Sequence, residues 1–241
     1  MEQNLSKKTR TESDLIGSRE VPESALYGVQ TLRGIENFRI SKFHLNEYPL
    51  FIQALAITKM GAAVANRELD LLTEEQADAI LKACKEILEG KHHDQFPVDM
   101  IQGGAGTTTN MNANEVIANR ALELMGHQRG EYQYCSPNDH VNRSQSTNDA
   151  YPTAIHIGLY YTHLKLVKHF EVLIESFRKK ATEFAHVIKM GRTQLEDAVP
   201  MTLGQTFNGF ASILRHEVKN LDFAAQDFLT VNMGATAIGT G

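Results

Sequence analysis

The stretch TAIHIGLYYTHLKLVKHFEVLIESFRKKATEFAHVIK, from Thr153 to Lys189, decides the fold. Apolar residues recur in it at spacings of three and four, the period of one face of an α-helix. These residues are Ala154, Ile157, Tyr161, Leu164, Val167, Phe170, Ile174, Phe177, Ala181 and Phe184. A helix over 153–189 exceeds the usual length in globular proteins and cannot bury this stripe alone. The pattern therefore predicts packing in a helical bundle.

A second apolar stripe follows after a short gap. Thr202-Leu203-Gly204-Gln205 matches the capping box that opens many helices. Behind it, apolar residues again recur at helical spacing, at Leu203, Phe207, Phe210, Leu214, Val218, Leu221, Ala225 and Phe228. We expect a loop from Met190 to Met201 between the two helices. Two long helices joined by one loop form only part of a bundle, so we expect further helices after Gly241.

The chain before Gln145 has a more mixed pattern. Apolar residues at helical spacing predict a helix over Pro49–Leu72, and Thr73-Glu74-Glu75-Gln76 is a capping box that opens a second one. That second helix is expected to stop at Gly90, because glycine commonly follows a helix end. A third helix is expected over Met111–Met125, and the residues around it are predicted to be irregular.

Together these patterns predict a mainly α fold with two domains. The first, 1–145, is a mixed and mostly helical domain, and its polar and basic residues 1–12 are expected to form a loose tail. The second, 146–241, is expected to contain the first two long helices of a central helical bundle.

Composition excludes several classes of protein. A chain of 241 residues with 42% hydrophobic and 22% charged residues fits an ordinary globular protein. Its net charge of −5 makes a nucleic-acid partner unexpected. Gln53 and Lys59 interrupt the best candidate for a membrane span, and no apolar signal segment precedes Ser13. Because its two cysteines form no CxxC pair, we expect a cytoplasmic protein with reduced thiols and no membrane partner.

Three polar segments are best suited to bind a ligand: Gly103–Asn110, Ser144–Asp149 and Gly191–Gln194. Each is expected just before a helix, where free backbone N–H groups and a partial positive charge favour anions. Together they suit a small ligand with two anionic ends, although each one alone is more often only a turn or a helix cap. A nucleotide is not expected, because the first segment lacks the Gly-Lys-Ser/Thr ending of a phosphate loop.

At these segments the chain resembles a known family. From about Gly17 to Gly241 the sequence is similar to the aspartase/fumarase superfamily of homotetrameric lyases. The blocks that carry the resemblance are Gly17–Pro22, Tyr27–Arg33, Ile35–Phe38, Asp94–Asp99, Gly103–Arg120, Pro137–Asn142, Gln145–Thr153, Lys189–Gln194 and Asp197–Gln205. Blocks this long and in this order are far more specific than any single short motif.

Within the superfamily the chain resembles the aspartase branch more closely than the class II fumarases. Fumarases typically carry Gly-Arg-Thr-His where this chain has Gly-Arg-Thr followed by Gln194. They also carry two serines where this chain has Ser146 and Thr147. The segments Tyr27–Val29 and Glu196–Met201 are likewise similar to aspartases.

The resemblance implies a reaction, the reversible deamination of L-aspartate to fumarate and ammonia. Removal of a proton from Cβ gives a carbanion, whose charge spreads into the neighbouring β-carboxylate as an aci-carboxylate. Hydrogen-bond donors preorganised around that carboxylate stabilise the developing charge. The resemblance implies no cofactor and no metal.

The resemblance also implies roles for individual residues. The superfamily's substrate-binding positions are matched by Thr107, Ser146, Thr147, Asn148, Thr193 and Gln194. Thr107, Ser146 and Thr147 are expected to hold the β-carboxylate, and Thr193 the α-carboxylate. Asn148 and Gln194 are expected to face the amino group.

Finally, the resemblance implies a homotetramer whose active sites combine segments of several subunits. The base is a serine of a flexible loop with the signature Gly-Ser-Ser-x-Met-Pro-x-Lys-x-Asn-Pro, which these 241 residues do not contain. We therefore expect the base beyond Gly241, no catalytic residue in this chain, and no activity of the truncated chain by itself. Two alternatives remain open: a fumarase acting on L-malate, and a non-catalytic lyase-like structural module.

Overall fold

The computed structural model describes residues 8–102, 104, 106–236, 238 and 239. Most of them are helical, which confirms the predicted mainly α fold. They form two compact units, one with the residues up to Gly158 and from Val231 onward, the other spanning Leu159–Thr230. The domain boundary expected between residues 145 and 146 stays a prediction. Within the described part of the chain, no helix is both long and apolar enough to cross a membrane.

The elements follow one another in a simple order. The helices are α1 (Val29–Asn37), α2 (Pro49–Glu68), α3 (Glu74–Leu88), α4 (Thr107–Leu124), α5 (Thr147–Glu183) and α6 (Leu203–Ala225). The strands form two antiparallel hairpins, β1 (Thr9–Asp14) with β2 (Gly17–Pro22) and β3 (Ile188–Thr193) with β4 (Glu196–Thr202). Short 3-10 turns lie at Leu45–Glu47, His93–Gln95 and Gln226–Leu229, and a π-helical turn at Pro137–Val141.

The core of the first unit lies between α2, α3 and α4. Helix α3 packs against both of the others, and buried residues from all three fill the space between them, including Ile52, Leu55, Ile80, Ile87, Val116, Ile117 and Leu122. The capping box expected at Thr73 is confirmed, since its side chain accepts a hydrogen bond from the Gln76 backbone and Gln76 bonds back to the Thr73 N–H. Cys84 and Cys135 are buried free thiols.

Helix α4 is buried on nearly all sides and carries many polar residues into the core. One of them, Glu115, accepts hydrogen bonds at the start of α1 from the backbone N–H groups of Gly28 (2.9 Å), Gln30 (2.8 Å) and Thr31 (3.0 Å). Helix N-termini present unpaired N–H groups, so this carboxylate stabilises α1 from outside the helix. Burial raises the pKa of the Glu115 carboxyl, while these hydrogen bonds act in the opposite direction.

The loose tail expected over residues 1–12 is wrong for residues 9–12, which lie in β1; residues 1–7 lie outside the described part. Arg10, one of the charges that suggested a solvated tail, is paired inside the fold. The Arg10 guanidinium donates to Glu12 at 2.8 Å and to the carbonyls of Pro22, Ala25 and Tyr27. These contacts hold the hairpin against the loop that leads into α1.

Helix α5 begins and ends six residues earlier than the 153–189 expected. The expected start after Pro152 is wrong, because proline is tolerated inside this helix. A proline cannot donate to the carbonyl four residues before it, here that of Asn148. That carbonyl instead accepts a hydrogen bond of 3.0 Å from the Asn232 side chain. The lost backbone bond is therefore replaced by a contact from a distant part of the chain.

The loop expected over residues 190–201 is also wrong, since these residues belong to the β3–β4 hairpin. The register shifts between Met190 and Arg192, and the intervening Gly191 is buried at this bulge. A Cβ atom at Gly191 would lie 3.0 Å from the Val199 carbonyl oxygen, so glycine allows the close approach of the strands. Pro200 is tolerated because each strand of a two-stranded sheet has one free edge.

Helix α6 begins at the capping box predicted from Thr202, whose side chain accepts from the Gln205 backbone at 3.1 Å. The second unit is held by aromatic contacts between α5 and α6 and the segment after α5. Phe207 lies 5.9 Å from Phe177 and 5.7 Å from Phe184 between ring centroids. Aromatic side chains of the two predicted apolar stripes thus pack against each other over part of their length.

Replacing Gly28 by alanine tests the packing at the start of α1. A Cβ atom there would lie 2.5 Å from a Glu12 oxygen and 2.9 Å from the Glu115 carboxyl carbon. We expect Gly28→Ala to lower the free energy of unfolding by about 1–3 kcal/mol, as overpacking does. The matched control is Gly61→Ala in the exposed middle of α2, where nothing lies within 4 Å of the new atom. Alanine there should raise stability by about 0.5–1 kcal/mol. Urea denaturation of both variants measures the difference, and equal effects would contradict the packing argument.

Candidate functional site

The first turns of α4 and α5 lie side by side in the first unit. Asn110, in the first turn of α4, donates a hydrogen bond of 3.2 Å from Nδ2 to the Thr147 hydroxyl at the start of α5. Gly106, just before α4, faces the ring of Tyr151 so closely that a Cβ atom would overlap it, and its φ is +88°. The N-termini of two helices therefore lie close together, and the partial positive charge at such ends favours anions.

The start of α5 is held by Ser146 and Asp149. The Ser146 N–H donates to Asp149 Oδ1 at 2.9 Å, and the Asn148 N–H donates to Ser146 Oγ at 3.3 Å. This reciprocal cap fixes the direction in which the helix enters the site. Asp149 is fully buried and also accepts from the Gly234 N–H at 3.1 Å. The side chains of Ser146 and Thr147 are half-buried, and that of Asn148 is exposed.

The start of α4 is held by Gln102. Its Oε1 accepts from the Thr109 N–H at 2.9 Å, and its Nε2 donates to Thr109 Oγ1 at 2.7 Å. With these bonds α4 begins at Thr107, four residues before the expected start. Thr107 itself is exposed.

An open cleft of about 540 Å³ lies beside the start of α4. The cleft is lined by described residues of the loop before α4 and by residues of the first turns of α5. These residues are Met100, Ile101, Gln102, Gly104, Gly106, Asn148, Tyr151, Pro152 and Ile155.

Beneath the two helix starts lies a buried lysine. The Lys59 side chain, 0% exposed, donates to Oδ1 of Asn110 (2.8 Å), Oδ1 of Asn142 (2.9 Å) and Oε1 of Gln145 (3.0 Å). Burial lowers the pKa of Lys59 to about 7, and the nearby carboxylate of Asp149 acts in the opposite direction. Sequence reasoning did not assign this residue to the site. The available signal was a single charge among the small and mostly apolar residues from Ala54 to Ala63 of α2.

Thr193 and Gln194 belong to the second unit, at the tip of the β3–β4 hairpin. The expectation that their segment directly precedes a helix is wrong, because β4 separates it from α6. Thr193 pairs with Glu196, so Gln194 and Leu195 form a two-residue loop with φ of +48° and +68°. Two positive φ values define the tight turn that matches strand twist, and it normally selects Asn or Gly. All three of Thr193, Gln194 and Leu195 are exposed.

The structure thus brings Thr107, Ser146, Thr147 and Asn148 to two adjoining helix starts in the first unit. Thr193 and Gln194 lie together on the hairpin tip of the second unit. Gly103 and Ala105, part of the first polar segment, lie outside the described residues. Among the described residues, no group of three histidine, cysteine or acidic side chains is arranged to hold a metal ion.

Comparison with known proteins supplies the class. A family described as lyase matches residues 17–241, and the chain belongs to this family. The superfamily expected from the sequence is thereby confirmed.

The chain is similar to the aspartate ammonia-lyase of Escherichia coli (strain K12), with 57% identity over 98% of the chain and 50% of the relative. It is 58% identical to that of Pseudomonas canavaninivorans, over 96% of the chain and 49% of the relative. Among solved structures, the native fumarate lyase:delta crystallin of Brucella melitensis matches with a TM-score of 0.92 and 51% identity, over 95% and 53% of the two chains. A class II fumarase from Schistosoma mansoni matches with a TM-score of 0.89 and 37% identity, over 97% and 49%. The chain spans about half the length of the relatives it matches.

The hairpin tip makes a prediction about backbone strain. Leu195 is 95% exposed and has no packing reason for its left-handed backbone, which costs a non-glycine residue roughly 1–2 kcal/mol. We expect Leu195→Asn to raise the free energy of unfolding by about 0.5–1 kcal/mol, because asparagine tolerates this conformation. Leu229→Asn, an exposed leucine outside the left-handed region, is the control and should give no gain. Urea unfolding compares the two, and a gain in both would show that removing an exposed leucine is the cause.

Proposed function

We propose that this protein is an aspartate ammonia-lyase, which converts L-aspartate reversibly into fumarate and ammonia. The observation that carries the proposal is the set of hydroxyl donors at two adjoining helix starts, in a chain 57% identical to an aspartate ammonia-lyase. The residues that separate aspartases from fumarases in the sequence, Thr147 and Gln194, favour the same reaction.

In this proposal the helix starts of α4 and α5 bind the β-carboxylate of L-aspartate through Thr107, Ser146 and Thr147. Loss of the Cβ proton moves negative charge onto this carboxylate. Hydroxyl and backbone donors that are already oriented stabilise such charge without having to reorganise, and they act more strongly on the transition state than on the substrate. The reciprocal cap at Ser146 and the contact from Asn110 to Thr147 supply that orientation.

Thr193 and Gln194 belong to the second unit, and the proposal gives them the other end of the substrate in the assembled homotetramer, where segments of several subunits form one active site. Thr193 donates to the α-carboxylate, and the carboxamides of Asn148 and Gln194 orient the amino group. Gln194 is suited to this because a carboxamide offers both an acceptor for an ammonium group and a donor for a carboxylate. The strained backbone at Gln194 and Leu195 supports a functional role for the hairpin tip, since such strain is commonly kept at functional sites.

The proposal assigns the catalytic base to a serine outside these 241 residues, so the chain alone is inactive. It also includes a homotetramer, as the resemblance implies, and a cytoplasmic location, as expected from the cysteine content. Association is supported by apolar side chains left on the surface of α5 and α6. Val172 is 69% exposed, Phe223 81% and Phe210 46%. So many large apolar side chains exposed on two helices favour a contact with further protein surface.

The test uses a completed protein, in which residues 1–241 are followed by the remaining residues of the Escherichia coli relative. Fumarate formation is followed by its ultraviolet absorbance with L-aspartate and with L-malate in parallel. We expect the completed protein to turn over L-aspartate and not L-malate. We expect the 241-residue chain to turn over neither substrate. Turnover of L-malate in its place would favour the fumarase alternative. A folded, completed protein inactive on both would favour the non-catalytic module.

Thr193→Val in the completed protein tests the α-carboxylate contact. The substitution keeps the shape of the side chain and removes a hydrogen bond to a charged group, worth roughly 1.5–3 kcal/mol. We expect kcat/KM for L-aspartate to fall roughly 10- to 150-fold. The control is Thr182→Val on the surface of α5, which should leave kcat/KM unchanged. An unaltered kcat/KM in Thr193→Val would remove this residue from the site.

Substitution at Ser146 tests the charge-stabilising role. Ser146→Ala should lower kcat more than it raises KM, because its partner gains charge only in the transition state. Steady-state kinetics on L-aspartate separates the two constants. A change in KM alone would mean that Ser146 binds substrate and transition state equally.

A further inference from the structure

The structure assigns a role to Lys59 that the sequence did not suggest. We propose that Lys59 is a positioning residue, which orients the Asn110 carboxamide so that the Thr147 hydroxyl must donate its hydrogen toward the bound carboxylate. The inference rests on the proposed function, because it specifies how one donor of that same site is prepared.

The first step concerns the direction of the Asn110 side chain. A carboxamide has one acceptor end and one donor end, and by itself either end can face a hydroxyl group. Three amide oxygens surround Lys59 Nζ, which requires the ammonium form, and this form has only donors. With Lys59 Nζ at 2.8 Å, the oxygen of Asn110 must face the lysine, and Nδ2 must face Asn142 (3.1 Å) and Thr147 (3.2 Å).

The second step concerns the Thr147 hydroxyl. Nδ2 of Asn110 donates to Thr147 Oγ1, which occupies an acceptor position of that oxygen. The hydroxyl hydrogen cannot point back at an N–H donor, so it is directed away from Asn110. A hydroxyl that is held in this way meets a carboxylate as a donor. An unconstrained hydroxyl would first have to rotate, which lowers the benefit of preorganisation.

The third step concerns the loop before α5. Lys59 also donates to Asn142 and Gln145, which lie on this loop. Gln145 in turn donates from Nε2 to the carbonyls of Val141 (3.0 Å) and Arg143 (3.1 Å), and Asn66 of α2 donates to the latter at 2.9 Å. One buried ammonium group therefore ties the first turn of α4 to the loop that delivers Ser146 and Thr147.

Asn110→Asp is the variant that tests the mechanism without removing the lysine. A carboxylate at position 110 can still pair with Lys59, but it has no donor for Thr147. The Thr147 hydrogen would then turn toward that carboxylate and away from the ligand. We expect kcat for L-aspartate in the completed protein to fall roughly 100-fold, as when one charge-stabilising donor is lost. A kcat within twofold of the unsubstituted protein would overturn the inference.

The matched control is Asn119→Asp on the same helix. Asn119 is buried and donates to the Leu26 carbonyl and the Tyr132 hydroxyl, outside the contacts of Lys59. This variant should lose stability and keep kcat within threefold. An equal loss of kcat in both variants would show that any acid buried in α4 impairs the protein, and would overturn the specific role of Asn110.

A double-mutant cycle separates positioning from mere structural support. Lys59→Met, Thr147→Val and the double variant are compared in kcat. If Lys59 acts through the Thr147 hydroxyl, the double variant should be no slower than the slower single variant, because the same donor is lost once. Multiplying losses would mean that the two residues act independently and would overturn the inference. Should Lys59→Met fail to fold, the same cycle is run with Asn110→Asp.

Turnover by the unsubstituted completed protein tests the proposed function, whereas only ratios between variants test the inference. If that protein has no turnover, the same variants are titrated calorimetrically with succinate, an unreactive dicarboxylate. Weaker binding in Asn110→Asp and in Thr147→Val, but not in Asn119→Asp, would support the role of Lys59 without the lyase reaction. Equal succinate affinities would overturn it.

Discussion

The constraint on which the first unit depends is that a helix buried on nearly all sides needs hydrogen-bond partners for the polar side chains that it carries. Helix α4 carries Asn110, Asn112, Asn114, Glu115 and Asn119 into the core. Unpaired polar groups cost stability in a low-dielectric interior, so their partners are drawn from the loops around the helix. Glu115 holds the start of α1, Asn112 donates to the Gln95 carbonyl at 3.0 Å, and Asn119 holds the turn near Gly130 at 2.8 Å. The polar face of α4 is therefore what fixes the loops of this unit.

The same constraint explains why the candidate site can hold its donors still. Loops are usually the mobile part of a fold, yet the hydroxyl groups at 146 and 147 begin a helix whose entry is capped on one side and tied to α4 on the other. A helix start offers backbone N–H groups together with such side chains, and both are rigid because the helix behind them is rigid. Precise placement of donors follows from burial of the residues beneath them, not from the ligand-facing residues alone.

The sequence predicted features that depend on residues close together in the chain, and it missed features that depend on residues far apart in the chain. The helix stripes and the capping boxes at Thr73 and Thr202 depend on residues within one or two turns, and they were found. The strand at residues 9–14 is held by contacts of Arg10 with carbonyls up to 17 residues later, and Pro152 is tolerated because of Asn232, 84 residues from the carbonyl it satisfies. Periodicity and propensity contain no trace of such partners. The polar segments before α4 and α5 were predicted because helix starts have local sequence signatures. Lys59 was not assigned to the site, because its partners lie 51 to 86 residues away in the sequence.

A buried lysine is costly, because its ammonium group loses its contacts with water. This desolvation cost is offset only when every hydrogen that the group carries has a partner. At Lys59 three amide oxygens meet this need, and each belongs to a residue that also acts on a neighbour. A neutral side chain of similar size would fill the space at lower cost, but it would leave the direction of the Asn110 carboxamide undetermined. A cation removes that ambiguity because it accepts no hydrogen bond. The charge is thus explained by the polarity it imposes on the network above it, since a network of amides alone has two orientations and only one of them leaves the Thr147 hydroxyl free to donate.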